Sequence, residues 1–265
     1  MTDSNTRLST SPEPDRARRR LLGGLCALGA GTFLTGCDRL SESAPVRATL
    51  SNVEQLSYKA QRLIASRQAL AKEFDESQIA PVFRPNGTTN PQEDYYRAWV
   101  ENGFADWRLT IDGLVEEPMT LSLPALREMA SRTQITRHDC VEGWSCIGQW
   151  TGVPLADLLD RVRPADTARF VVFHCADHTY GGSDLYYESL DMIEAYHPQT
   201  LLAYDLNGEL PVANGAPIRL RAERQLGYKQ AKYVMRVELV ESFKQLHGGK
   251  GGYWEDRGYD WWAGI

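Results

Sequence analysis

Thr133-Gln134-Ile135-Thr136-Arg137-His138-Asp139-Cys140-Val141-Glu142-Gly143-Trp144-Ser145-Cys146-Ile147-Gly148-Gln149-Trp150-Thr151-Gly152-Val153-Pro154-Leu155 is the stretch on which the fold turns. It sets a cysteine after His138 and Asp139 and just before a Gly-Trp turn. A thiolate is a soft ligand, suited to zinc, copper(I), an iron–sulfur cluster or another soft metal. Zinc is the poorer match, because Cys140 and Cys146 lack the short C-x-x-C type of spacing found in structural zinc sites. A nucleophilic Cys140 with His138 or His174 as its base is a second reading. A buried cysteine in a packed loop is a third.

Outward from this stretch the chain gives short strand and helix signals in mixed order. Phe170 to His174 and Ile218 to Leu220 are apolar enough for buried strands, and Tyr233 to Val240 alternates as a strand does. Trp107 to Val115 reads as a hairpin turning at Asp112-Gly113. Leu123 to Met129 and Pro154 to Val162 read as short helices, and Phe83 to Gly87 as a turn-rich loop. Leu50, Val53, Leu56, Leu63, Ile64, Leu70 and Phe74 recur at helical spacing with no Gly or Pro between them, which predicts one or two helices over Leu50 to Glu76. Without regular βαβ alternation the expected class is α+β, with mixed sheets and short helices in a single domain. His247 to Ile265 carries Tyr253, Trp254, Tyr259, Trp261 and Trp262. So aromatic a tail is expected to pack back on the domain rather than stay in water.

The 265 residues are 42% hydrophobic and 24% charged, with a net charge of −6. That composition excludes wholesale disorder and a polytopic membrane protein. It also argues against nucleic acid as a partner, since phosphate binding needs a basic face. The first 36 residues contain Arg7, Arg16, Arg18, Arg19 and Arg20 against Asp3, Glu13 and Asp15. The leader is thus basic and the body more acidic than the total. Arg18-Arg19-Arg20 is followed by an uncharged, Gly-rich run from Leu21 to Leu34, too short to span a bilayer as a helix. The pattern resembles a twin-arginine export signal. Leu34-Thr35-Gly36-Cys37 resembles a lipobox, which implies a lipid on Cys37 after cleavage. Asp38 resembles the residue that keeps some lipoproteins at the inner membrane. With Cys26 removed and Cys37 lipidated, Cys140, Cys146 and Cys175 are left, and three thiols cannot all pair with one another.

His138-Asp139-Cys140-Val141-Glu142-Gly143-Trp144, then Trp150-x-Gly152-Val153-Pro154-Leu155-x-x-Leu158-Leu159, is similar to the molybdopterin-binding domain of the sulfite oxidase superfamily. The likeness is nearest to the branch without haem, which includes periplasmic protein-methionine-sulfoxide reductases. Tyr180-Gly181-Gly182-Ser183, the run from His197 to Tyr204, the run from Asn214 to Leu220 and the run from Gly227 to Lys232 match in the same order, so the likeness spans about 83 to 240. It implies a molybdenum-molybdopterin cofactor with Cys140 as thiolate ligand to the metal. Asn86 falls where the family has the Asn of an Arg-Asn-His motif that contacts the pterin, with Gly87 in place of the His. His138 stands as support beside the cofactor, and Cys175 at a cofactor-contacting Thr position. Asn214 and Arg219 match pterin-binding positions. Gln230, Ala231 and Lys232 match a segment that holds the cofactor phosphate, and Arg and Lys are natural partners for a buried phosphate. Tyr180 matches the active-site Tyr of sulfite oxidases. The plain alternatives are strand-face charges for Arg219 and Lys232 and a turn aromatic for Tyr180. For Cys146 they are a small core residue or a disulfide partner of Cys140.

The expected organisation is a signal peptide over 1–36, a tether over 37–49, a helical segment over 50–80, the cofactor domain over 81–243 and the tail over 244–265. The expected activity is oxygen-atom transfer. The family's oxidases follow the Cys with residues that include an Arg for a dianionic substrate. Val141-Glu142-Gly143 departs from that, so reduction of a sulfoxide or N-oxide, small or protein-borne, is favoured over sulfite oxidation. A sulfite dehydrogenase and a cofactor-free binding lipoprotein on the same scaffold are the alternatives. The chain has no Cys-x-x-Cys-His haem motif, so electrons are expected from a redox partner such as a membrane haem protein or cytochrome. A cofactor loaded in the cytoplasm requires folded export, which the twin-arginine leader supplies. The product is expected on the periplasmic side, anchored to the inner membrane and monomeric.

Overall fold

The computed structural model describes residues 66–178 and 184–265, with positions 43, 45, 56 and 58–60 before them. The leader, Cys37 and Tyr180-Gly181-Gly182-Ser183 lie outside the described residues. Within the body that begins at Ala60, the described residues form nine strands and four short α-helices.

Two sheets carry the fold. The first has five strands in the order β2-β1-β9-β5-β6, from β1 (Arg108–Gly113), β2 (Met119–Ser122), β5 (Phe170–His178), β6 (Leu185–Asp191) and β9 (Val234–Val240). The second has four in the order β3-β4-β7-β8, from β3 (Arg132–Cys140), β4 (Trp144–Pro154), β7 (Leu201–Leu206) and β8 (Arg219–Arg221). All named pairings are antiparallel except β1 with β9, which makes the first sheet mixed. The helices are α1 (Asp94–Glu101), α2 (Leu123–Glu128), α3 (Leu155–Val162) and α4 (Met192–Ala195). This is the expected α+β arrangement.

Both sheets feed one apolar core. Leu109 and Ile111 enter from β1, Val171 and Phe173 from β5, Val237 and Leu239 from β9, and Val153, Leu202 and Leu220 from the second sheet. On α3 the buried residues are Leu155, Leu158, Leu159 and Val162, the one-face spacing of an amphipathic helix. Each such side chain contributes roughly 1.5–3 kcal/mol by leaving water. A smaller cluster gathers Phe83, Cys146, Trp150, Ala203 and Leu206 on the other side of the second sheet.

Two local expectations are corrected. Positions 56 and 58–60 are helical, but helix does not continue to Glu76. Glu73 forms an antiparallel bridge with Thr136, and Phe74 N–H donates to Ile135 O at 2.9 Å. The Gln199 side chain grips Ala71 through its N–H at 2.8 Å and its C=O at 3.1 Å. The open edge of β3 thus captures this segment as an extended arm, and Leu70 stays 57% exposed. The 107–115 hairpin does exist, but β1 runs through Asp112 and pairs Ile111 with Met119, so the turn falls at 114–118.

Candidate active site

The inward face of β3 is polar. Gln134, Thr136, His138 and Cys140 alternate inward and are buried, where a strand against a core normally presents apolar side chains. A chain of side-chain contacts explains how they are tolerated. Gln134 Nε2 donates to Glu223 Oε1 at 2.9 Å, and Arg221 donates Nε to Glu223 Oε1 at 2.9 Å and Nη2 to Glu223 Oε2 at 2.6 Å. Arg221 Nη1 then donates to His138 Nδ1 at 3.0 Å. A guanidinium cannot accept, so Nδ1 is the acceptor and the neutral ring carries its proton on Nε2. Burial first, then the Arg221 and Arg219 charges, hold this imidazole far below the usual histidine range. Nε2 faces the Gln230 side chain without a hydrogen bond of good geometry. It also faces Gly227, where a Cβ would come within 2.5 Å of it. Any larger residue at 227 would push the ring out of line.

At the end of β3, Cys140 lines a cleft of about 780 Å³, open solvent included. Asn86, Gly87 and Thr88 border it from one loop, Val141 and Glu142 from the turn after Cys140, and Asp177 from β5. Tyr186, Gly227, Tyr228, Gln230 and Lys232 form the far side, and Trp254 and Tyr259 close it from the tail. Burial pushes the Cys140 thiol up, and the Glu142 carboxylate adds to that. The backbone N–H groups of Glu142 and Val141 and the Arg84 charge oppose them. Such a thiol is a poor free nucleophile at neutral pH. His174 is bound to Glu238 through Nε2 at 2.8 Å and does not line the cleft, so no histidine base serves Cys140 there. Among the described residues no group of three or more His, Cys, Asp or Glu is placed to hold a metal ion.

The surroundings fit a large anionic cofactor. Arg219 is fully buried, stacks over Trp150 at 5.1 Å, and donates Nη1 to Asn214 O at 2.9 Å and Nη2 to Gln230 O at 3.3 Å. Burial first, then the Arg221 charge, bring its pKa down to about 9, so it is still a cation at neutral pH. Lys232, brought down to about 7 by burial and then by Arg219, donates to the carbonyls of Asn86 at 2.6 Å, Ala213 at 3.0 Å and Thr88. Arg219 Nε, Asn86 Oδ1 and Asn214 Nδ2 are buried without a partner. A buried unsatisfied polar atom costs about 1–3 kcal/mol, so the Arg219 Nε and Asn214 Nδ2 donors, close to concentrated positive charge, favour an anionic acceptor, and the Asn86 Oδ1 acceptor favours a donor on the same group.

The structure brings Cys140, Asn86, Gln230 and Lys232 together at the cleft. His138, Arg219 and Asn214 lie behind these lining residues, reached through the contacts above. Lys232 departs from the expected role, because all three of its N–H donors are spent on carbonyls that fasten the Asn86–Thr88 loop. Cys175 is fully buried in the core, at the register shift between β5 and β9, and does not line the cleft. Ala231 is likewise a core residue, its carbonyl accepting from Leu220 N–H at 2.8 Å. Cys140, Cys146 and Cys175 are free thiols, so Cys140 and Cys146 are not paired; Cys146 sits in the second cluster, with Sγ 3.6 Å from Val82 O.

Asp177, Tyr186, Tyr228, Trp254 and Tyr259 line the cleft and were not picked out as site residues from the sequence. Burial pushes the Asp177 carboxyl up to about 6, and the Lys232 charge opposes it. For the tail the signal was present, since its density of aromatics predicted packing on the domain.

Residues 97–247 match the family described as the oxidoreductase molybdopterin binding domain. The chain is 35% identical over 256 residues to a chain of Azospira oryzae provisionally named protein-methionine-sulfoxide reductase subunit YedZ1, covering 94% of this chain and 88% of that one. It is 34% identical over 236 residues to the protein-methionine-sulfoxide reductase catalytic subunit MsrP of Ralstonia nicotianae, covering 84% and 69%. With the protein of the same name from Xanthomonas axonopodis pv. citri it shares 37% over 149 residues, covering 52% and 46%. Among solved structures, the sulfane dehydrogenase SoxCD of Paracoccus pantotrophus aligns with a TM-score of 0.48 at 24% identity, over 52% of this chain and 39% of that one.

Proposed function

The chain belongs to the oxidoreductase molybdopterin-binding domain family, and on that footing we propose that it reduces sulfoxides with a molybdenum-molybdopterin cofactor seated against Cys140. Membership of that family supports an enzyme over the cofactor-free alternative. When bound, the cofactor supplies two-electron redox chemistry coupled to movement of an oxygen atom. The protein supplies the rest. Cys140 gives the thiolate, and Arg219, Asn86, Asn214 and Gln230 hold the pterin and its phosphate from the buried side. His138, fixed by Arg221, packs against Gly227 behind it.

Reduction of a sulfoxide to a thioether consumes two electrons and two protons and releases water. Asp177, with its carboxyl raised to about 6, holds a proton in an appreciable fraction of molecules near neutral pH. The carboxylates of Glu142 and Asp177 disfavour a dianion in the cleft, which supports a neutral sulfoxide over sulfite. The relatives named as methionine-sulfoxide reductases support the same direction. The observation that carries the proposal is the free Cys140 thiol at a cleft backed by buried cations and unpartnered polar atoms. Metal analysis of the purified protein tests it: near-stoichiometric molybdenum is expected, and Cys140→Ala is expected to lose it together with sulfoxide turnover from an artificial electron donor. A metal-free wild-type protein would overturn the proposal.

Electrons are proposed to come from a membrane haem protein or cytochrome, and the chain to act at the periplasmic face, exported by the twin-arginine route and held by lipid on Cys37. No helix among the described residues is long and apolar enough to cross a membrane. Cys37→Ala is expected to move the protein from the membrane fraction to the soluble one; retention on membranes would exclude the lipid anchor.

A further inference from the structure

The tail from 248 onward lies beyond the residues that match the family, yet it builds one wall of the cleft. Tyr253 N–H donates to Tyr187 O at 3.0 Å, Leu226 N–H to Ala263 O at 2.9 Å, and Ile265 N–H to Arg224 O at 3.0 Å. Between these ties Glu255 is buried on Lys229, with 2.6 Å between Oε1 and Nζ, and Glu188 binds the same ammonium. The backbone is thereby fixed where it presents Trp254 and Tyr259. Their rings stack with centroids 5.2 Å apart and planes at 25°, and Tyr228 meets Tyr259 edge-on at 5.2 Å. Tyr228 is in turn held by its hydroxyl, which donates to Asp260 O at 2.8 Å.

All three rings line the cleft that Cys140 lines, and Tyr259 is 38% exposed, open to an incoming group. A rigid aromatic wall gains little from a small polar solute and much from methylenes and sulfur, which pack on ring faces and edges. Lys232 is the cation among the described lining residues, and its donors are spent on carbonyls. The wall therefore selects an uncharged group with an apolar stem.

We propose that Trp254 and Tyr259 form the substrate subsite of this chain, receiving the methylene and sulfur portion of a methionine-type sulfoxide side chain while its S–O group faces Cys140. The proposal rests on the sulfoxide reading above and adds the residues that set specificity. It distinguishes an amino-acid sulfoxide from dimethyl sulfoxide, which has no stem to lay on the rings.

The test uses the molybdenum-loaded protein and two substrates, N-acetylmethionine sulfoxide amide and dimethyl sulfoxide, with calorimetric titration of the first as a readout independent of turnover. Trp254→Ala and Tyr259→Ala are each expected to weaken binding and raise KM for the methionine derivative about tenfold. The rise in KM with dimethyl sulfoxide, which has no stem to lay on the rings, should be several-fold smaller than with the methionine derivative, while Trp254→Phe retains most of the affinity. Molybdenum content and the unfolding midpoint report whether each variant is folded, and Tyr259→Ala, at the exposed end of the stack, keeps the test decisive if Trp254→Ala is not. Unchanged affinity and KM in a folded, loaded variant would overturn the subsite. A wild-type protein that oxidises sulfite and reduces neither sulfoxide would instead overturn the reading beneath it.

Discussion

Asp177 is 3% exposed and its carboxyl is pushed from 3.8 up to about 6, by burial against the pull of Lys232. Between those two values the folded chain keeps a proton that the unfolded chain has lost, so stability falls as pH rises through that window and stays lower above it. Asp177→Asn removes a group that is costly only when ionised. The variant is expected to match the wild type at pH 3.5 and to exceed it at pH 8 by up to about 3 kcal/mol, less whatever Lys232 loses with its neighbouring carboxylate. Urea unfolding at the two pH values checks this, and an equal difference at both would show that the carboxyl is not buried as described. Cys140 was legible in the sequence because its motif is dense with residues of special chemistry. Asp177 was not, because the run of apolar residues before it describes a strand and says nothing of which strand end faces a cleft. Cys175 failed in the opposite way: its place in the order of motifs matched, but a thiol where the family has a hydroxyl packs well in an apolar core.

At the level of elements, Gly113 shows how a turn signal can mislead. A Cβ there would lie 2.3 Å from Leu239 O, and the residue has φ +87°. The glycine serves the close parallel approach of β1 to β9, and the hairpin turns further along the chain. Such a contact between strands more than a hundred residues apart leaves no local trace. The arm at 66–75 was missed for a related reason, since spacing reports which residues are apolar but not which strand edge is open to pair. The tail, by contrast, was legible as an element, though not what fastens it. Burial pulls Lys229 down, but Glu188 and Glu255 outweigh it and hold it above its ordinary value. The carboxyl of Glu188, buried beside Glu255, is pushed well up even with this ammonium in place. Lys229→Met leaves two buried carboxyls without a cation, and breaking a buried pair costs roughly 3–5 kcal/mol. The variant is expected to lose that much in urea at neutral pH and to be cleaved first within the tail by trypsin at Lys244 or Lys250. An unchanged midpoint and an uncut tail would show that the triad does not fasten it.

Across the whole body, one apolar core joins the two sheets, and the candidate site sits where that core gives way to polar side chains. The α+β class was readable from the mixture of short elements. The order of strands was not, because pairings such as β1 with β9 or β4 with β7 are set by long-range packing. The buried guanidiniums of Arg219 and Arg221 and the amine of Lys232 keep like charges close together, which a bound anionic cofactor relieves. Protein freed of its cofactor is therefore expected to melt about 5–10 °C below the loaded protein, the shift a tightly held ligand gives a domain of this size. Scanning calorimetry of the two forms measures it, and coincident melting would mean the cofactor is not bound at the buried cluster. The tail has a temporal side as well. Residues 253–265 leave the ribosome after every strand, so both sheets can close while the cleft beside Cys140 still lacks one wall. Glu255 reaching Lys229 then completes that wall, so the last segment of the chain to be made finishes the site.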